Sequence, residues 1–172
     1  DVLGSRGLGD VYKRQPENYE ARAEIMWCGS LSHNGLTGCG TCGGDWATHL
    51  MEHELGGMFD VAHGAGLAAV WGSWARYVMD EKPERFAQFA VDVMGVEESD
   101  DVKSTALKGI EAVEEFYRMI EMPTNMKELG INPTDEQIKD MAMKATNHDT
   151  QQLGAFKKLS AKDLVEIYKT AK

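Results

Sequence analysis

Residues 49–64 have the sequence HLMEHELGGMFDVAHG and contain three of the five histidines of the chain. His49 and His53 are four residues apart, so on a helix both imidazoles project from the same face. The glycine pair at 56–57 is expected to break this helix and fold the chain back, which brings His63 towards the other two histidines. Imidazole is a common protein ligand of zinc and of divalent iron. The segment therefore predicts a metal site or an active site.

The composition is typical of one globular domain. The chain has 172 residues, of which 42% are hydrophobic and 27% are charged, enough to form a core of its own. Its formal net charge of −10 argues against nucleic acid and anionic membrane surfaces as partners. No apolar run approaches the roughly 20 residues of a membrane span. The odd number of cysteines, 3, favours a reducing compartment, and we expect the cytoplasm.

Apolar residues recur at helical spacing along most of the chain, and no run alternates as a half-buried strand requires. We therefore predict an all-α fold, a helical bundle in which residues 64–79 form a deeply buried helix. The predicted helices cover 18–37, Asp45 through His53, 64–79, the segment after Pro83, Ser99 to Pro123, 135–145, and the segment after Ser160.

Several residues mark the expected beginnings of these helices. Pro83 suits a first helical turn, where its missing N–H is not needed. Short side chains with an oxygen atom can accept hydrogen bonds from first-turn amides, and a partner three residues later completes a capping box. The predicted caps are Asp45, Ser99, the pair Thr134 and Gln137, and the pair Ser160 and Asp163.

The first residues differ from the rest of the chain. Residues 1–15 read DVLGSRGLGDVYKRQ, carry three glycines and lack sustained amphipathic periodicity. We interpret them as a non-native or disordered leader. Residues 16–172 are interpreted as a single helical domain.

Residues 38–43, GCGTCG, match both a G-x-G-x-x-G and a C-x-x-C pattern. A dinucleotide loop must follow a strand and open an anion-friendly helix, whereas this one follows a predicted helix and precedes Asp45. Cys39 and Cys42 have no second pair with which to complete a four-cysteine zinc site. We interpret the segment as a glycine-rich connection with free thiols.

The histidine segment also allows other interpretations. His49, Glu52 and His53 form H-x-x-E-H, the inverted zinc-peptidase motif, in which Glu52 acts as a general base. That interpretation leaves His63 unexplained. Asp45, His49 and His63 could also imitate a site of two histidines and one carboxylate, although an N-cap explains Asp45 more simply. A non-catalytic helical interaction module with structural histidines is the third alternative.

Two stretches resemble a known family: PENYEARAEIMWCGSLSHNGL at 16–36 and DWATHLMEHELGGMFDVAHGAGLA at 45–68. They resemble the all-α, dehydroquinate-synthase-like C-terminal domain of the iron-containing alcohol dehydrogenases, in particular the butanol dehydrogenase and broad aldehyde reductase branch. The resemblance covers roughly residues 16–172. Its most specific feature is the spacing of the three histidines, the last of which is followed by glycine.

The resemblance implies a role for each histidine. His49 and His63 are expected to bind one Fe²⁺ or Zn²⁺. His53 is expected to line the site beside the substrate and the nicotinamide of NAD(P)H, as the catalytic and cofactor-contacting residue. In this family the two other metal ligands come from an earlier Asp-x-x-x-His motif, and an N-terminal Rossmann-like domain binds the nucleotide.

The resemblance also bears on the chain as a whole. The one Asp-x-x-x-His present, Asp45 to His49, overlaps the second pair of ligands and cannot replace the earlier motif. We therefore expect an incomplete metal-binding domain, a fragment that is inactive by itself. The intact enzyme is expected to interconvert butanol-like primary alcohols and aldehydes, and to form a homodimer.

Overall fold

A computed structural model describes residues 17–41 and 43–172. The chain divides into two compact units, one ending at Gly44 and the other extending from Asp45 to Lys172. The leader predicted at 1–15 and the thiol of Cys42 lie outside the described residues.

Helices account for the regular structure, and the predicted all-α fold class is confirmed. In the described part of the chain, β-pairing is limited to one isolated antiparallel bridge between Leu153 and Leu159. None of the described helices is long and apolar enough to cross a membrane. The helices are α1 (Tyr19–His33), α2 (Ala47–Phe59), α3 (His63–Val78), α4 (Pro83–Asp92), α5 (Val102–Met119), α6 (Asp135–Ala145) and α7 (Ala161–Ala171), with 3₁₀ turns at Leu36–Gly38 and Met79–Glu81.

In the described residues of the first unit, α1 is the main element. Its N-cap is Asn18, whose side chain accepts a hydrogen bond from the N–H of Ala21 at 3.0 Å. Ala21 is buried, whereas Trp27 on the same helix is 61% exposed. The helix predicted over 18–37 is confirmed for most of its length. It stops earlier because Gly35 has φ +86, a conformation that a right-handed helix cannot continue.

The core of the second unit lies between α2, α3, α5, α6 and α7. Nine residues of α3 are buried, which confirms the deeply buried helix predicted at 64–79. The hydroxyl of Tyr168 on α7 donates to the backbone oxygen of Met51 on α2 at 2.7 Å. That bond ties the last helix to the one that carries two of the histidines. The largest fully buried apolar side chains also include Leu55, Ile110, Met126, Ile138, Met141, Leu159, Leu164 and Ile167.

The helix break predicted at the glycine pair is wrong. α2 continues through Gly56 and Gly57 to Phe59, and its C-cap is Asp60, which has φ +54. The N–H of Asp60 donates to the backbone oxygen of Gly56 at 2.9 Å. Two helical glycines together cost about 2 kcal/mol, less than the roughly 4 kcal/mol gained by burying the two large apolar side chains of Met51 and Leu55 on the same helix. Aspartate tolerates the left-handed region, so the chain reverses at Asp60 instead.

The predictions of helix beginnings have mixed outcomes. Both capping boxes form, and Pro83 is the first residue of α4. Ser99 is not the cap of α5. Asp101 takes that position, and its carboxylate accepts a hydrogen bond from the N–H of Lys103 at 3.1 Å. The Ser99 hydroxyl instead lies 2.9 Å from the Thr105 hydroxyl, because the helix starts two residues later than the sequence suggested.

Asp45 is also not the N-cap of α2, a position that Trp46 occupies. The Oδ1 atom of Asp45 accepts from the N–H of Ala47 at 2.9 Å. Its Oδ2 atom accepts from the N–H groups of Ala155 and Phe156 at 2.8 and 2.7 Å. The carboxylate therefore fastens a distant loop to the beginning of α2.

Candidate metal centre

Three histidines meet where α2 ends and α3 begins. His49 and His53 lie one turn apart on α2, and His63 is the first residue of α3. The ring centroid of His63 is 5.4 Å from that of His49 and 5.6 Å from that of His53. The reversal at Asp60 produces this approach, so the predicted grouping is found although its predicted cause was wrong.

A buried carboxylate joins the cluster. The side chain of Glu52 is 2% exposed, and its Oε2 atom contacts Nδ1 of His63, a side chain that is 51% exposed. An ionised carboxylate can only accept hydrogen bonds, so a neutral His63 paired with ionised Glu52 carries its proton on Nδ1. The other ring nitrogen, Nε2, keeps the lone pair with which His63 can bind a metal.

The face formed by the histidines is open to solvent. His53 and His63 are exposed, and His49 is half-buried. The His49 ring packs edge-on against Trp46 with the centroids 4.8 Å apart, and the Trp46 side chain is 55% exposed. A metal or a small molecule therefore has access to the imidazoles from this side.

The donor set fits a divalent transition metal. Potential ligand atoms of Glu52, His53 and His63 lie within 4.8 Å of one another, and His49 adjoins them. Imidazole nitrogen and carboxylate oxygen are the donors that zinc and non-haem iron sites combine. Their convergence from two helices at a tight reversal gives a compact site.

The other sequence candidates have different surroundings. All three backbone contacts of Asp45 are structural, which disfavours it as a third ligand beside His49 and His63. His148 is exposed in the turn after α6, and Cys39 is an exposed free thiol. His33 is the last residue of α1 in the first unit.

Sequence reasoning missed the relation between Glu52 and His63. It considered Glu52 only as the general base of a zinc peptidase. Position 52 is three residues after His49, which places it near the histidine face of α2. The H-x-x-E-H pattern thus held a usable signal, but the partner of the carboxylate depends on how the chain reverses.

Comparisons with known proteins all lead to the same family. The sequence model described as Fe-containing alcohol dehydrogenase family, C-terminal, matches residues 8–172. NADH-dependent butanol dehydrogenase A of Clostridium acetobutylicum is 31% identical over 162 residues, which cover 94% of this chain and 41% of that protein. The NADPH-dependent aldehyde reductase YqhD of Escherichia coli is 32% identical over 160 residues, or 92% of this chain and 40% of that protein.

A solved structure shows the same fold. The crystal structure of NADH-dependent butanol dehydrogenase A from Thermotoga maritima matches with a TM-score of 0.86 at 32% identity, covering 96% of this chain and 42% of that chain. The fold and the cluster thus define an all-α domain with histidines grouped at a helix reversal. The chain belongs to the Fe-containing alcohol dehydrogenase family, to its C-terminal region. It spans about two-fifths of the length of these relatives.

Proposed function

We propose that this chain supplies the histidine part of the active site of a metal-dependent, NAD(P)H-dependent alcohol dehydrogenase or aldehyde reductase. Its substrates are butanol-like primary alcohols and the corresponding aldehydes. His49 and His63 are the metal ligands, and His53 is the residue beside substrate and nicotinamide. The observation that carries this proposal is the meeting of three imidazoles at the α2–α3 reversal in a chain of this family.

The chemistry divides between bound groups and the chain. Fe²⁺ or Zn²⁺ supplies Lewis-acid polarisation of the aldehyde carbonyl, and the nicotinamide supplies the hydride. His49 on α2 and His63 at the beginning of α3 each offer a ring nitrogen as a ligand. His53 is exposed beside His63, so one of its ring nitrogens can pass a proton to the alkoxide oxygen of the product.

The relatives support the choice of cofactor and substrate class. One is named as an NADH-dependent butanol dehydrogenase and another as an NADPH-dependent aldehyde reductase. A zinc peptidase receives no comparable support, because the Glu52 carboxylate that it needs as a base is buried against His63. The proposal also includes a homodimer for the intact enzyme, by family resemblance, and the cytoplasm as its location, from the cysteine content.

A chimera tests this function directly. This chain replaces the matching part of butanol dehydrogenase A from Clostridium acetobutylicum, and butanal reduction is measured with NADH and NADPH in the presence of Fe²⁺ or Zn²⁺. We expect activity in the chimera and a loss of about 100-fold on His53→Ala, because a positioned proton donor contributes at least that much.

Two control proteins accompany the assay. His148→Asn removes an exposed imidazole at a residue with φ +57, which asparagine adopts readily, and should leave the rate unchanged. The 172-residue chain alone should show no reduction, because its described residues contain no strand to build a dinucleotide-binding unit. A folded, metal-loaded chimera that reduces no aldehyde would contradict the proposal.

A further inference from the structure

The histidine cluster contains a buried acidic group to which the proposed function gives no role of its own. We propose that Glu52 is a positioning residue, which holds the proton of His63 on Nδ1 and thereby leaves Nε2 as the nitrogen that binds the metal. The contact between Oε2 of Glu52 and Nδ1 of His63 is the starting observation. This inference rests on the proposed role of His63 as a metal ligand.

The ring of a neutral histidine has one N–H and one lone pair, so a hydrogen bond at one nitrogen determines which nitrogen can bind a metal. A carboxylate that accepts from Nδ1–H fixes both this choice and the orientation of the ring, and it makes the imidazole a stronger donor. His63 needs such help because its side chain is 51% exposed and the residue is the first of α3. Glu52, at 2% exposure, gives it a rigid contact.

Two glycines provide the space that the Glu52 side chain occupies. A Cβ atom on Gly66 of α3 would lie 2.7 Å from Oε1 and 2.8 Å from Cγ of Glu52. A Cβ atom on Gly56 of α2 would lie 3.0 Å from Oε1. Any larger residue at position 66 must displace the carboxylate, because real Cβ atoms do not approach other atoms so closely.

A buried carboxylate without a hydrogen-bond partner is energetically unfavourable. An ionised carboxylate loses several kcal/mol of solvation when it is buried, and a hydrogen-bonded partner must offset that loss. In the described residues His63 is that partner, from a different helix and eleven residues away. The burial of Glu52, the space that the glycines leave for it and its contact with Nδ1 thus all concern the ring of one proposed metal ligand, His63.

The test follows the histidine rings of the full chain by ¹H–¹⁵N NMR, first without metal and then during titration with Zn²⁺. Glu52→Leu fills the buried position without an acceptor, and Glu52→Gln keeps an acceptor without the charge. Glu54→Leu is the matched control on the same helix. The spectra report which nitrogen of His63 carries the proton, and the titration reports the dissociation constant.

We expect the unaltered chain and Glu52→Gln to hold the proton on Nδ1 of His63, and Glu52→Leu to shift it largely to Nε2. The dissociation constant for Zn²⁺ should rise about 10- to 100-fold in Glu52→Leu and stay unchanged in Glu54→Leu. The inference is overturned if Glu52→Leu keeps the Nδ1 proton, or if the proton moves and zinc affinity does not. It is also overturned if Glu52→Gln keeps the tautomer but loses zinc as completely as His63→Ala, since Glu52 is then a ligand.

A second pair of variants leaves Glu52 in place and serves if Glu52→Leu does not fold. Gly66→Ala should displace the carboxylate and weaken Zn²⁺ binding about tenfold, whereas Gly57→Ala adds a Cβ that meets nothing within 4 Å and should not. Equal zinc affinity in both glycine variants would also overturn the inference. Failure of the unaltered chain to bind Zn²⁺ would overturn the metal role of Glu52 in this chain, while the chimera assay would still decide the proposed function.

Discussion

At the residue scale, Asp163 joins α3 to the beginning of α7. The Tyr77 hydroxyl donates to Oδ1 of Asp163 at 2.5 Å, and Oδ2 accepts from the N–H and the hydroxyl of Ser160 at 2.7 and 2.6 Å. Burial opposes ionisation of Asp163, but these hydrogen bonds lower its pKa overall. The same contact, with burial, raises the pKa of Tyr77 to about 12. One carboxylate therefore contributes to both a capping box and a helix–helix contact.

This contact predicts a pH dependence of stability. The pKa of Asp163 is lower in the folded state than its ordinary value of 3.8, so its stabilisation is present above that value and is lost as the pH falls through the folded pKa. The contribution of Tyr77 has the opposite sign. It is present below the ordinary pKa of 10.0 and is lost as the pH rises towards 12.

Asp163→Asn should therefore lower the free energy of unfolding by about 1 kcal/mol at pH 7, after allowance for partial exposure. It should also flatten the loss of stability below about pH 4. Urea denaturation across a pH series measures both effects. Asp140→Asn, which removes a half-exposed partner of Lys144, is the control. An acid limb as steep in Asp163→Asn as in the unaltered chain would contradict this assignment.

The residue scale also shows how far sequence alone reached into the site. His49 and His53 could be grouped because four-residue spacing fixes a shared helical face. The addition of His63 needed only a reversal somewhere between the helices. The pairing of Glu52 with His63 could not be predicted, because it depends on the position of that reversal and on the space left by Gly66.

At the scale of elements, α2 stays helical across its two glycines because the buried side chains of the same helix pack into the core. Met51 and Leu55 are fully buried on one side, while Gly56 and Gly57 continue the helix to its end at Phe59. Local propensity alone predicted a break there, and packing overrides it. The elongated helix is what places the reversal, and hence His63, beyond the glycines.

A continuous α2 makes a prediction about Gly57. Alanine there should raise the free energy of unfolding by about 0.5–1 kcal/mol, because the new Cβ meets nothing within 4 Å and alanine is the better helix former. Gly56→Ala should gain less, since its Cβ would lie 3.0 Å from Oε1 of Glu52. Urea denaturation of both variants gives the comparison. Destabilisation by Gly57→Ala would mean that the helix does not run through this position.

Helix beginnings show a similar division between local and distant causes. The capping boxes at Thr134 and Ser160 were predicted because both partners lie within one turn of sequence. Asp45 was misassigned because two of its hydrogen-bond donors, Ala155 and Phe156, lie more than a hundred residues away. Ser99 was misassigned because Asp101, also a good cap, lies two residues closer to the helix.

At the scale of the whole molecule, the fold class and the family could both be predicted from the sequence. Apolar periodicity predicted helices, and the described residues form helices with no regular strand. The spacing of the histidines carried the resemblance that the family match to residues 8–172 confirms. The homodimer, the incompleteness of the domain and the inactivity of the isolated chain stay predictions, because they rest on the family resemblance alone.

The central claim is that His49 and His63 bind one metal ion, and calorimetric titration of the full chain with Zn²⁺ under reducing conditions tests it most directly. The unaltered chain and His148→Asn should bind one equivalent with the same affinity. The double variant His49→Ala/His63→Ala should keep its helical content and lose at least about 100-fold in affinity, because no imidazole from either proposed ligand is left. Unchanged stoichiometry and affinity in the double variant would contradict the claim.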